Sequence, residues 1–350
     1  MAVAFGLSVV SSLEATAAAQ RTFVASTGND AHPCGLAQPC RGFARAITQT
    51  NAGGEVIVLD SAGYGPVTIT KSVSLIAPAG IYAGITVVGG DGITIIAPSA
   101  TVVLRGLSIN GQGGSHGVNV LQAERARIES CVVSGMSIDG IMYSAPGLEL
   151  IVLDTMVRDN GGSGIGGDAD ASVVLDHVRS EHNGTNGFYM ASLSDKARAM
   201  ISDSIFAFNG SNGVWVAATN AGTTNAQIER SVLADNGANG LKISASIFAT
   251  IAAAVTRNAV HRNIGDGVMV IGPGFAEAGV SDNTFLGSDG FISASLHADG
   301  SKTRLWASAN HFSGLTSLNF VQTNSAIFWS HGNNTGSDSY SGTYVQIPTF

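Results

Sequence analysis

No stretch of 18 apolar residues with few polar interruptions occurs in this 350-residue chain, so no transmembrane helix is expected. Charge is scarce as well: Lys, Arg, Asp and Glu make up 12% of the residues, the net charge is −8, and no basic cluster offers nucleic acid an electrostatic footprint. Walker, Rossmann and zinc-ligand spacings are absent. Aromatic residues reach only 7%, so any core must be aliphatic. Prolines number 8, which excludes a Pro-rich linker or a collagen-like chain despite the 45 glycines.

Cysteine is limited to three residues. Cys34 and Cys40 bracket the loop HPCGLAQPC outside any CxxC or Cys/His metal spacing, and a small-loop disulfide is their simplest reading. Cys131, in IESCVVSG, reads as a buried strand thiol, with no partner histidine to make it a catalytic thiolate. The N-terminal segment MAVAFGLSVVSSLEATAAAQ has the apolar stretch and the small-residue Ala17, Ala18, Ala19 run of a secretory leader but lacks a basic start; a short apolar tail is the other reading of residues 1–20. Leader and disulfide together point to a secreted, periplasmic or cell-surface protein of a bacterium.

The abundant residues are the informative ones. Glycines 117, 140, 164, 187, 213, 240, 267 and 290 each precede a short apolar strand and recur every 23 to 27 residues. A period of that length marks a solenoid. Each unit reads as a strand such as AQIERSVLA, a glycine turn, and a second strand such as GLKIS. No helical period appears, so the expected fold is all-β, a single-stranded right-handed parallel β-helix of roughly nine to eleven coils. Asn160, Asn183, Asn209, Asn236 and Asn263 align before the glycines, where stacked amides can hydrogen-bond from coil to coil. A second short-polar column, Thr155, His177, Ser204, Ser231, Asn258 and Asn283, marks another bend. NGT at Asn183 and NGS at Asn209 match a glycosylation pattern but lie in the asparagine column and are assigned to turns.

Solenoid ends need covering. RGFARAITQT, residues 41–50, places Phe43, Ala44 and Ile47 at helical spacing and is expected to be the N-terminal cap. The resulting layout is a strand, disulfide loop and capping helix over 21–55, coils over 56–313, and an Asn/Ser/Gly-rich covering segment over 314–350.

The order TFVASTGND, the cysteine-bracketed loop, PCRGFARAI, GGEVIVLDSAGYGPVTITKSVSLIAP, the N-G-x-x-G-h-x-h coils and a GNN tail resembles the bacterial right-handed parallel β-helix proteins of the pectin-lyase-like superfamily. That resemblance implies the fold over nearly the whole chain; it is weak for function, because the superfamily holds pectate and alginate lyases, polygalacturonases, uronate epimerases and phage tailspikes. Polygalacturonases carry NTDGxD after the glycine turn. Here the position two after glycine is Met142, Gly166, Tyr189, Trp215, Lys242, Met269 or Ile292, none acidic, and Asp139, Asp266 and Asp289 before the glycines lack a paired carboxylate. Hydrolysis of that type is therefore not expected. Pectate lyases use calcium aspartates and an arginine base, and no such aspartate cluster or RxPxxR segment is present.

If glycine plus one faces the core, glycine plus two faces outward, and Met142, Tyr189, Trp215, Lys242 and Met269 form a stripe. Flat rings there suit the C–H faces of sugars, where the superfamily's substrate groove runs; the alternative is that AATNAGTTNAQ or ASLSDKARAM folds over them as a loop. Lys242 as base with Tyr189 as donor is the candidate catalytic pair, set against a solubilising lysine. Trp215, Tyr189, Met142, Met269, His182, His261 and Arg262 are the candidate substrate contacts, the last three otherwise surface decoration. Asp168 and Asp170, in GGDADAS, are candidate ligands for Ca2+, the only cofactor the sequence suggests, or simply a solvated turn. Three functions follow: a lyase or epimerase of an acidic glycan, a non-catalytic carbohydrate-binding or adhesion solenoid, and a structural envelope solenoid. Polysaccharide is the expected partner, nucleic acid is not, and the sequence is silent on oligomeric state.

Overall fold

The computed structural model describes residues 19–287, 294–313, 318–336, 339–343 and 345–347. Three parallel sheets run the length of one right-handed solenoid of about ten turns, the fold class the repeat implies. Sheet I has 14 strands, sheet II 11 and sheet III 12. One coil shows the order. Val214–Ala218 lies in sheet III, Thr223–Glu229 in sheet I and Val232–Ala234 in sheet II, before Leu241–Ala245 returns to sheet III one rung on.

Alternation along each strand decides which side chains enter the core. In sheet III, Ile141, Ile165, Phe188, Val214, Leu241 and Val268 stack rung upon rung in register, all fully buried. Such aliphatic columns supply the hydrophobic stabilisation. Truncating one member, for example Leu241→Ala, is expected to cost about 2–5 kcal/mol.

Two corners are built by polar ladders. At the II–III corner each asparagine side-chain oxygen accepts both the amide and the backbone N–H of the previous coil: Asn160 Nδ2 to Asn183 at 2.9 Å, Asn183 to Asn209 at 3.0 Å, Asn209 to Asn236 at 3.0 Å, and Asn236 to Asn263 at 2.9 Å. This is the expected asparagine column, and it is buried throughout. At the I–II corner the column is Cys131, Thr155, Val178, Ser204, Ser231, Asn258, Asn283, Asn310 and Asn334, joined by bonds such as Ser204 N–H to Ser231 Oγ and Asn258 N–H to Asn283 Oδ1. His177 therefore stands one residue outside the column assigned to it. Val178 fills that place, and His177 takes the left-handed backbone shared with Asp154, Asp203 and Arg230.

The glycine repeat also has a different cause from a turn requirement. Glycines 117, 140, 164, 187, 213, 240 and 267 are absent from the left-handed region, but a Cβ at any of them would come within 2.6–2.8 Å of the next coil's carbonyl oxygen. Close approach of neighbouring coils, not backbone handedness, selects glycine there. Gly290, Asp289 and Ile292 lie outside the described residues, as does residues 1–18 of the expected leader.

At the N-terminal end Ala19–Val24 pairs in parallel with Thr50–Val58. The Cys34–Cys40 disulfide, with Cα atoms 4.6 Å apart, ties a loop that bonds back to this strand through Phe23 N–H to Cys34 O and Cys40 N–H to Phe23 O. The helix spans Phe43–Gln49 and is placed as a cap should be, but Ala46 joins Phe43 and Ile47 in the core while Ala44 is exposed. Past residue 313 the expected covering segment is instead further solenoid: Leu318–Thr323 and Ile327–His331 add rungs to sheets III and I, followed by Tyr340–Ser341 and Val345–Ile347. Among the described residues no helix is long and apolar enough to cross a membrane.

Candidate functional site

The outer face of sheet III is fixed by register. Thr94, Asn119, Met142, Gly166, Tyr189, Trp215, Lys242, Met269 and His297 occupy successive rungs of one column. The expected stripe is thus a single file, and its Tyr189, Trp215 and Lys242 are partly exposed. The two segments considered as covering loops are not loops: Lys196–Ser202 and Thr223–Glu229 are strands of sheet I, reached through short turns.

Contacts along the file are specific. The Tyr189 and Trp215 ring centroids lie 4.9 Å apart at 50°, and Lys242 Nζ sits 4.6 Å from the Trp215 ring centroid, a cation–π pair. Trp215 Nε1–H donates to Ser244 Oγ at 2.9 Å, which fixes the indole. Tyr189 and Lys242 are two rungs apart, roughly 9.6 Å at the ~4.8 Å spacing of strands, with the Trp215 ring between them. A sugar lying along the outward edge of that ring would have a phenol on one side and an ammonium on the other. Burial, then the hydrogen bond to Asp168 and that carboxylate's charge, push the Tyr189 phenol well above its ordinary range, so it keeps its proton and donates it to Asp168.

Asp168 therefore stands beside the file, two residues along its strand from Gly166, and meets it through Tyr189. Asp170 does not: its carboxylate accepts from Leu193 N–H at 2.7 Å, and from the backbone N–H and Oγ of Ser194, pinning the III–I turn of the next coil. One carboxylate bonded to a phenol and the other filled by N–H donors do not make a calcium cage, and no group of three or more metal-ligating side chains occurs among the described residues.

His182, His261 and Arg262 are not brought onto this face. His182 and Arg262 are left-handed residues of the II–III corner. The His182 ring stacks on Phe208, centroids 5.0 Å apart, and Arg262 forms a two-pronged ion pair with Asp235 at 2.6 Å for each bond. His261 is in sheet II, where burial, helped by the Arg262 charge, lowers its pKa. The His182 and Arg262 side chains make axial contacts between coils, whereas His261 Nδ1 is buried without a hydrogen-bond partner among the described residues.

Two histidine clusters went unread in the sequence. His116 Nδ1 lies 2.8 Å from Asp91 Oδ1 and its Nε2 lies 3.9 Å from Asp139 Oδ2, while Asn119 Nδ2 donates to the other Asp91 oxygen at 2.8 Å. Burial pushes the Asp91 carboxyl up, but the Asn119 and His116 bonds outweigh it and leave the pKa lowered. Asp139 goes the other way: burial, with the charge of Asp168 adding to it, outweighs the Ser163 N–H and His116 and raises its pKa. Farther along, His297 bridges Asp266 Oδ2 at 2.8 Å and Thr323 Oγ1 at 3.0 Å, and Thr323 Oγ1 donates to Asp299 at 2.8 Å. Asp139 and Asp266 do have partners, His116 and His297, and the charge of Asp168 also reaches Asp139. A signal existed in Asp91, His116 and Asp139, spaced like the glycines they precede.

The family model for a right-handed beta helix region matches residues 83–253. Among solved structures the chain is similar to pectate lyase Pel9A, with a TM-score of 0.58 at 14% identity over 92% of this chain and 80% of that one. It is similar also to the A-module of the mannuronan C-5 epimerase AlgE4 of Azotobacter vinelandii, at 0.60 and 15% over 84% and 89% of the two chains. The Dettilon tailspike protein gives 0.58 and 12% over 93% and 68%. These likenesses establish the fold. No curated protein matches by sequence.

Proposed function

We propose that this right-handed β-helix binds an acidic polysaccharide along the outer face of sheet III. The observation that carries the reading is the file Tyr189–Trp215–Lys242: an indole fixed by Ser244, an ammonium held over its face, and a protonated phenol ring packed against it from the preceding rung. The indole presents its outward edge to sugar C–H groups, Lys242 reads a carboxylate, and the Tyr189 oxygen, its own proton given to Asp168, accepts from a sugar hydroxyl. The names of two structural neighbours, a pectate lyase and a mannuronan epimerase, fit this substrate class. The disulfide and the absence, among the described residues, of a membrane-crossing helix are compatible with an extracellular setting.

Turnover is the second reading, favoured by one observation: the Tyr189–Asp168 hydrogen-bonded pair and the Lys242 amine flank the same ring. Proton abstraction alpha to a uronate carboxyl needs a base on one side and a donor near the carboxylate on the other. Incubating the protein with pectate, alginate and other uronates, with and without calcium, separates the readings. Product absorbing near 235 nm, formed by wild type and lost in Lys242→Ala, supports a lyase. Binding without product, weakened about tenfold by Trp215→Ala, supports a binding solenoid. No binding to any acidic glycan leaves the structural envelope reading.

A further inference from the structure

Sheet I carries a second aromatic feature, on a face unrelated to the sheet III file. Trp306 and Trp329 are register neighbours on its outer face, their rings parallel within 14° and their centroids 4.8 Å apart, one rung of the solenoid. The rung before them in the same column is Gly279, paired directly with Trp306, and the one before that is Ala254. A Cβ at Gly279 would meet no atom within 4 Å, so no ring folds down over it. The column thus reads indole, indole, empty rung, methyl.

Two residues along the strands, Glu277 and Arg304 face each other in register, and neither takes an ion pair or side-chain hydrogen bond among the described residues. They line a hollow of about 150 Å3 with Thr250, Phe275, Ala276 and Lys302, in which Lys302 Nζ lies 5.1 Å from the Phe275 ring centroid. On the other side of the empty rung stand Ser281 and Ser308.

We infer that the empty rung above Gly279 is a binding slot for one hexopyranose unit of a glycan, stacked on the free face of Trp306. A pyranose is flat enough to take one rung. Its C–H face matches an indole, and its equatorial hydroxyls need a mixed set of acceptors and donors at the rim, which Glu277, Arg304 and the two serines supply. An apolar aromatic guest would leave the rim charges without partners. The slot does not depend on what sheet III binds, and the two faces are tested separately.

The chain's three tryptophans are Trp215, Trp306 and Trp329, so Trp215→Phe leaves only the sheet I pair fluorescent. This variant is titrated with cellohexaose, maltohexaose and hexagalacturonate. The expected result is a saturable emission change with at least one of them. Gly279→Val, which fills the rung with a side chain the open space accepts, should raise that Kd at least tenfold with an unchanged unfolding midpoint, and Trp306→Ala should do the same. No emission change at millimolar concentrations of all three, or equal binding by Gly279→Val, overturns the slot. Concentration-dependent self-association in sedimentation velocity, abolished by Gly279→Val, also overturns it by assigning the face to a second copy. Loss of binding in Trp215→Ala with the slot titration intact refers to sheet III alone.

Discussion

Replacing Asn209 by alanine removes one rung of the asparagine ladder. The side chain donates from Nδ2 to Asn236 Oδ1 at 3.0 Å and to Ser180 O at 3.2 Å, and its Oδ1 accepts from Asn183 Nδ2 at 3.0 Å and Asn183 N–H at 3.2 Å. Not every partner is stranded. Asn183 Nδ2 keeps Ser180 Oγ at 3.1 Å, and Asn236 Oδ1 keeps the Asn209 backbone N–H at 3.1 Å. What remains orphaned is the buried Asn183 N–H and one bond to Ser180 O. At ~1–3 kcal/mol for each unsatisfied buried group, with the carbonyl at the low end, the loss is about 3 kcal/mol. In a solenoid, where each coil contacts only its neighbours, that loss falls on the coils holding residues 183, 209 and 236. Hydrogen exchange read by mass spectrometry should show local opening there increased about a hundredfold, since ~1.4 kcal/mol is a factor of ten. Gln227→Ala, on the exposed face of sheet I in the same coil, is the control and should shift opening less than threefold. Exchange in the three coils unchanged within twofold would refute the ladder as a source of stability.

Other outcomes follow from the same geometry. Cys131 sits in the corner column where later coils carry Ser204 and Ser231, and its thiol faces Glu129 O at 3.3 Å as Ser204 Oγ faces Ser202 O. Cys131→Ser should therefore lie within about 1 kcal/mol of wild type in urea unfolding; burial pushes the wild-type thiol up to about 11, so it should resist thiol reagents until unfolding. Gly240→Ala puts a Cβ 2.7 Å from Gly267 O and should cost about 2–4 kcal/mol by the same assay, against about nothing for an alanine at the open Gly279. Asp139→Asn keeps the acceptor for Ser163 N–H. Because the folded pKa of Asp139 is raised above its unfolded value, its ionised form weakens the fold above that pKa, and the penalty disappears below ~4, where both states are protonated. The variant should gain on wild type as pH rises from 4 to 7, and a difference that is flat with pH would contradict the assignment.

The sequence carried most of the fold because the solenoid repeats its own contacts. Glycines and asparagines at 23- to 27-residue spacing mark the sites where coils approach and where amides stack, so column membership could be counted off. Register is ambiguous in the sequence where that marker is lost. The I–II corner accepts cysteine, threonine, valine, serine or asparagine, and coil lengths differ, so His177 was placed one residue out of register. Beyond residue 313 the glycine repeat stops, and the coil bearing Trp329 reads from sequence as a covering segment rather than a further rung. The stripe through Tyr189 and Trp215 was legible from alternation alone. The His116 cluster was not, because its partners lie 25 and 23 residues away and meet only when coils stack.

Quencher access to Trp215 tests the proposed binding face most directly. In a Trp306→Phe, Trp329→Phe protein, Trp215 is the sole emitter, and acrylamide quenching is measured with and without hexagalacturonate or an alginate hexamer. Partial access by the free protein, and strong protection on adding an acidic oligosaccharide, is the predicted result. Quenching that is identical with and without every acidic oligosaccharide would contradict the platform.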